Sequence, residues 1–175
     1  MARFGETAPA PRLEDLSKPM VAVVAGFHRD ISERLLEGAR ARLAESGLPP
    51  ERLEERWVPG AFELLLAART VALTGRYAAV IALGVVIRGE TARFDHICRS
   101  AAWGLTAVGL ETGVPCAFGV LTTENRAQAE ARSGGDVGNA GADAADAAVV
   151  MANLMVESPG PPSAGSDGLE DLTGL

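Results

Sequence analysis

The sequence is short of the side chains that most often carry chemistry. Its 175 residues include two histidines, two cysteines and one tyrosine, and Lys18 is the only lysine. Lys18 lies in the N-terminal segment, so no core lysine is available to form an imine with a carbonyl substrate. If an imine forms, the substrate must bring the nitrogen. Cys98 and Cys116 sit in apolar contexts without metal-ligand spacing and are too few for a disulfide framework. They read as buried free thiols in a reducing compartment. Excess positive charge is also missing. Sixteen Lys and Arg against 23 Asp and Glu leave a net charge of −7, which disfavours nucleic acid or an anionic membrane as partner. The longest apolar run, residues 77–87 broken only by Gly84, is too short to span a bilayer. Residues 1–18 lack the apolar middle of a signal peptide, so the expected location is the cytoplasm.

What the chain does have is apolar content for one domain with a sizeable core: 47% hydrophobic and 22% charged residues are ordinary for a soluble globular protein. Residues 1–18, with Pro9 and Pro11, read as a flexible arm, residues 19–157 as the domain, and residues 158–175 as a disordered tail rich in Gly, Pro, Ser and Asp. Apolar runs at 20–27, 78–87 and 116–122 read as buried strands, and residues 54–58, stopped by Pro59 and Gly60, as a short second strand in chain order. Helical patterns cover 31–46, 61–73, 91–111, 126–132 and 142–156, with Asp30 and Thr91 as N-caps and an open glycine-rich loop at 134–141. The alternation predicts a flavodoxin-like three-layer α/β sandwich: a four-stranded parallel sheet with helices on both faces.

Ligands of such folds bind outside the carboxyl ends of the strands. Three segments fall there: Phe27 with His28, residues 59–63, and residues 88–91, while Phe118 stands on the fourth strand. The third strand ends in Arg88 and Gly89 and turns into a helix, which aims free backbone N–H groups at one point and suits a phosphate. Glu90 has the sign that the helix dipole prefers. Phe27 either stacks on a planar ring or joins the core. His28 is either a solvated turn residue or a functional one. Glu63 either complements the helix dipole or holds the hydroxyls of a sugar-like chain. Arg93 and Arg132 either bind an anion bidentately or lie on the surface. The residues alone lead to an anion site at the carboxyl edge of an α/β sheet.

Six segments resemble the lumazine synthase family in order and spacing: AGFHRDI (25–31), LLEGA (35–39), WVPGAFEL (57–64), ALGVVIRGET (82–91), TTEN (122–125) and MANL (151–154). The resemblance covers residues 18–155. It implies condensation of 5-amino-6-(D-ribitylamino)uracil with 3,4-dihydroxy-2-butanone 4-phosphate, without metal or organic cofactor. By the same resemblance Phe27 stacks on the pyrimidine, Ala61, Phe62 and Glu63 hold the ribityl chain, and Val85, Val86 and Ile87 contact the pyrimidine, largely through backbone. Glu90 and Thr91 bind the phosphate with Arg132 as charge partner, and Phe118 comes from a neighbouring subunit. A homo-oligomer is implied, either a pentamer or a sixty-subunit icosahedral shell; the short loop at 133–141 is like that of shell-forming members.

The chain departs from the family pattern at several positions. Arg93 stands where the family has its proton-transfer histidine, and arginine stays protonated near neutral pH. It retains the ability to polarise a carbonyl or hold phosphate. His28 replaces a common Asn and is a candidate substitute. Leu65 replaces a common Pro, and Asp136 and Ala140 stand where many members have Lys. Two readings follow. Either the enzyme is active, because aligning two reactive substrates supplies much of the acceleration. Or the chain is a catalytically weak or inactive paralogue that binds a lumazine or flavin, or only builds a shell.

Overall fold

The computed structural model describes residues 9–158, so residues 1–8 of the expected arm and 159–175 of the expected tail lie outside it. Four parallel strands form the central sheet: β1 (Met20–Ala25), β2 (Leu53–Val58), β3 (Val80–Ile87) and β4 (Cys116–Thr123), in the order β2-β1-β3-β4. The intervening helices are α1 (Arg29–Glu45), α2 (Leu64–Ala72), α3 (Arg93–Thr112), α4 (Arg126–Ala131) and α5 (Ala140–Glu157). This is the flavodoxin-like sandwich the alternation predicts.

The two faces of the sheet show why its strands lack alternation. On one face Met20, Ala22 and Val24 of β1 and Ile81, Leu83 and Val85 of β3 pack under α1, α4 and α5. On the other, Val21, Val23, Ala25, Val80 and Ala82 pack under α2 and α3. With both faces covered, successive residues are equally buried, and each fully buried Val, Leu or Ile contributes roughly 1.5–3 kcal/mol. Helices α1 and α5 lie so close that a Cβ at Gly141 would collide with the Leu35 carbonyl. Asn139 caps α5 by accepting from Gly141 N (2.8 Å), and its Nδ2 donates to Arg34 O (2.9 Å). The bidentate pair Arg42–Asp146 (2.6 and 2.9 Å) fastens the same two helices. No helix among the described residues is long and apolar enough to cross a membrane.

Local details depart from the sequence expectations. Helix α1 begins at Arg29, with His28, not Asp30, at the N-cap: His28 adopts φ 54°, ψ 53°, and its carbonyl accepts from Ile31 N and Ser32 N. The Asp30 carboxylate is instead paired with Arg126 at the start of α4. Thr91 does not cap α3. The Ala92 carbonyl starts that helix, accepting from Asp95 N (3.1 Å) and His96 N (3.3 Å), and no side chain caps it. Residues 61–63 form a separate turn before α2, closed by Glu63 N donating to Gly60 O (3.3 Å). The glycine-rich loop contains a small antiparallel ladder, β5 (Ser133–Gly135) with β6 (Gly138–Asn139). Part of the N-terminal segment read as a flexible arm is docked: Leu13 is buried, Leu13 N donates to Ser46 O, and Asn153 bonds both Glu14 N and Arg12 O.

Candidate active site

The site exists because β1 parts from β3. Their pairing runs only from Val21↔Val80 to Val24↔Leu83. Beyond it the chain follows β2 instead, with Gly26 N donating to Val58 O (2.8 Å) and Phe27 N to Pro59 O (3.1 Å). Residues 84–87 stay paired with β4 on one side and have no strand partner on the β1 side. The split falls where chain order reverses between β1 and β3, the usual ligand crevice of open α/β sheets.

A cleft of about 740 Å³ fills this split. The β1–α1 turn supplies Phe27 and His28. The β2–α2 turn supplies Ala61, Phe62 and Glu63. The end of β3 gives the floor, Val85, Val86 and Ile87. Gly89, Thr91, Arg93, Phe94, His96 and Ile97 form the remaining wall. Phe27 and Phe62 are 68% and 57% exposed, which makes them uncovered ledges and not core aromatics. That excludes the core reading of Phe27.

Arg88 fixes the α3 wall. Its Nε donates to Glu124 Oε2 (2.7 Å), its Nη2 to Asp95 Oδ1 (3.2 Å), and its guanidinium lies 4.1 Å from the centroid of the Phe94 ring. The hydrogen bond to Asp95, then that to Glu124, stabilises the charged form and raises the Arg88 pKa above its ordinary value. Asp95 is thereby committed to Arg88, while Arg93 and His96 line the cleft.

Two expected site residues, Glu90 and Arg132, are not brought there, and Phe118, expected from a neighbouring subunit, lies off the cleft of its own chain. Glu90 is exposed in the bend before α3 and is not part of the cleft lining. Phe118 lies on β4, along a second opening lined also by Met151 and Met155. Arg132 is exposed after α4, donating to Gln128 O (3.1 Å), away from the cleft lining. Phe94, His96 and Ile97 are lining residues that the sequence reading passed over, and of these His96 carries an ionisable group. Its signal was present: it stands three residues after Arg93, on the same side of a helix. Among the described residues, no group of three or more His, Cys, Asp or Glu side chains is placed to hold a metal.

An aromatic ledge, open strand backbone, a carboxylate and an uncapped helix start with an arginine together give this α/β protein a cleft with the groups that a planar polar ring and an anion would use. Residues 18–156 match the sequence profile of the 6,7-dimethyl-8-ribityllumazine synthase family. The chain is similar to the 6,7-dimethyl-8-ribityllumazine synthase of Coxiella burnetii (strain CbuG_Q212), 46% identical over 145 residues that cover 83% of this chain and 96% of the relative. The Coxiella burnetii proteins of strains RSA 493 / Nine Mile phase I and Dugway 5J108-111 are 46% and 44% identical over the same shares. The chain belongs to the 6,7-dimethyl-8-ribityllumazine synthase family.

Proposed function

We propose that this protein is a transferase of riboflavin biosynthesis that condenses 5-amino-6-(D-ribitylamino)uracil with 3,4-dihydroxy-2-butanone 4-phosphate to 6,7-dimethyl-8-ribityllumazine. The observation that carries the reading is one cleft holding Phe27, the turn at 61–63, the open end of β3 and the start of α3, in a chain matched over most of its length by the family. The pyrimidine stacks on Phe27, with its polar edge against the backbone of residues 85–87. Glu63 accepts from ribityl hydroxyls. Thr91, Arg93 and the uncapped N–H groups at the start of α3 hold the phosphate.

The chemistry suits a cleft without lysine. The uracil's amine attacks the ketone and loses water to give the imine. Loss of the adjacent C3 proton expels inorganic phosphate from C4, and the resulting enol becomes a C3 ketone. The ribitylamino nitrogen then closes the ring on C3 with loss of a second water. The protein's largest contribution is alignment of the two reactants. Arg93 acts as a fixed cation in this scheme, in the position where the family resemblance places a histidine.

Phe118 and Arg132 lie off the cleft of their own chain, so roles at the substrate require a neighbouring copy. The opening along β4, which holds Phe118, is a different surface from the cleft. Contact between the two is head-to-tail and closes into a ring. We assign a pentamer as the minimum, with an icosahedral shell as its larger form. The test is steady-state turnover of purified protein, against the uncatalysed condensation as blank, with sedimentation velocity alongside. Turnover well above the blank from a species of pentamer size or larger is expected. A rate equal to the blank with tight binding of the uracil substrate rejects the synthase.

A further inference from the structure

We propose that His96 is the proton-transfer residue of this cleft, serving the phosphate-bearing half of the reactants. The inference rests on the condensation proposed above. That reaction moves protons at defined atoms. A base removes the C3 proton; the C–H electron pair becomes the C3=C4 bond, the C4–O bond breaks, and phosphate leaves. An acid protonates the carbinolamine hydroxyl, which leaves as water while the nitrogen lone pair forms the C=N bond. One imidazole that takes a proton and returns it serves both events near neutral pH.

The cleft lining holds four ionisable side chains: His28, Glu63, Arg93 and His96. Arg93 stays protonated and cannot act as base. Glu63 folds back over the β2–α2 turn; its Oε2 lies 3.3 Å from where a Cβ on Gly60 would stand. It belongs to the ribityl side. Two imidazoles remain, and they are the only two in the chain. His28 follows the stacking ledge, its ring centroid 6.0 Å from that of Phe27, and so sits on the pyrimidine side.

His96 is on the opposite wall. It lies one turn beyond Arg93, roughly 4.5 Å further along the α3 axis and on the same helix face. Thr91 and Arg93 reach the phosphate from this wall, and C3 is one bond from the phosphate-bearing carbon. The Arg88–Asp95 pair pins the first turn of α3, which sets where His96 starts. Arg93, Asp95, Cys98 and Arg99 neighbour His96 on its own helix, Arg88 after β3 is bonded to Asp95, and Glu63 from the β2–α2 turn and His28 from the β1–α1 turn line the same cleft.

The test compares the full-length protein with its His96→Ala and His28→Ala variants, measuring kcat and both KM values across pH, with and without added imidazole. His96 is exposed, so its replacement leaves the fold intact, which circular dichroism checks. Replacing a general acid–base lowers kcat by about 10²–10⁴-fold. The expected result is that loss for His96→Ala, with both KM values within about threefold of the parent, and partial rescue by imidazole. His28→Ala keeps the imidazole-dependent arm of the pH profile. An active parent protein whose His96→Ala variant keeps kcat and the pH profile overturns the role of His96 alone. So does a loss expressed in KM without imidazole rescue. A parent rate equal to the blank overturns the proposed function, and this inference with it.

Discussion

Two openings of similar size sit on one sheet and are built for different occupants. The cleft, about 740 Å³, lies across strand ends, where pairing stops and backbone polar groups are left open. The groove, about 830 Å³, runs along the flank of β4 between α3 and α5 and is walled by Ala, Gly, Leu and Met. Asp143 is the single carboxylate in its lining. Burial pushes the Cys116 thiol up to about 11, so it stays neutral there. Strand ends suit a polar ligand. An apolar flank on an edge strand suits another protein surface. The other edge of the sheet sharpens the contrast: β2 presents Glu54, Glu55 and Arg56, and its carboxylates pair with Arg40, Arg56 and Arg76. One edge is closed by charge and the other is left apolar.

The most severe way to break the contrast is to put charge in the groove. Leu110 is 83% exposed and Met151 41% exposed in the isolated chain, so Leu110→Glu with Met151→Glu leaves the fold standing. At a subunit interface each unpaired buried charge costs roughly 3–5 kcal/mol. Together they should reduce the assembly to single chains in sedimentation velocity. Turnover should fall by about 10²-fold or more if the proposed contribution of a neighbour's Phe118 and Arg132 to the cleft is lost with the assembly. Unchanged size and turnover would make the groove an ordinary surface.

Within the cleft, Phe27→Ala should act on binding and not on stability, because the ring is mostly uncovered. Loss of base stacking is worth about 1–3 kcal/mol, or roughly 5- to 150-fold in affinity for the uracil substrate. Calorimetric titration checks this, and unaltered affinity would return Phe27 to the role of a surface aromatic. Arg93→Gln should raise KM for the butanone phosphate by about tenfold, the value of one charge-assisted hydrogen bond, and leave KM for the uracil near its parent value. A change confined to kcat would instead assign Arg93 to the reacting carbonyl.

Much of this contrast was legible in the sequence, and the misses have physical causes. The β-branched runs at β3 and β4 announce strands buried on both faces, and the observed ends fall within two residues of the expected ones. Helix α2 starts three residues late because residues 61–63, which continue the helical pattern, close a separate turn on Gly60. Asp30 loses the N-cap because Arg126, far along the chain, takes its carboxylate. His96 was passed over because neighbours on a helix face different ways, and only the Arg88–Asp95 pair decides which neighbour the cleft receives. Arg132 was misplaced because its position after α4 is set by long-range packing, which periodicity does not encode, whereas Phe118 was expected from a neighbouring copy and stands off its own cleft.

The charged edge offers the mildest test. Glu54 accepts from the Tyr77 hydroxyl (2.7 Å) and pairs with Arg76 (2.9 Å) and Arg56 (2.7 Å). The Tyr77 hydrogen bond, with help from both arginines, holds the Glu54 carboxyl below its ordinary value. Burial, then the bond to Glu54, pushes the Tyr77 phenol above its own. A lowered carboxyl pKa means that the folded state favours the ionised form. Its contribution is therefore complete above the unfolded-chain value and disappears as pH falls through the lower, folded one. The raised phenol has the opposite sign: its contribution is complete below the unfolded tyrosine value and is lost at strongly alkaline pH. Glu54→Gln should thus lower the urea midpoint slightly at pH 7, with the two proteins converging in acid. It should leave sedimentation and turnover alone, since β2 is the closed edge. A midpoint gap that persists unchanged into acid would mean that Glu54 acts by packing and not by charge, and a loss of assembly would move the interface to the wrong side of the sheet.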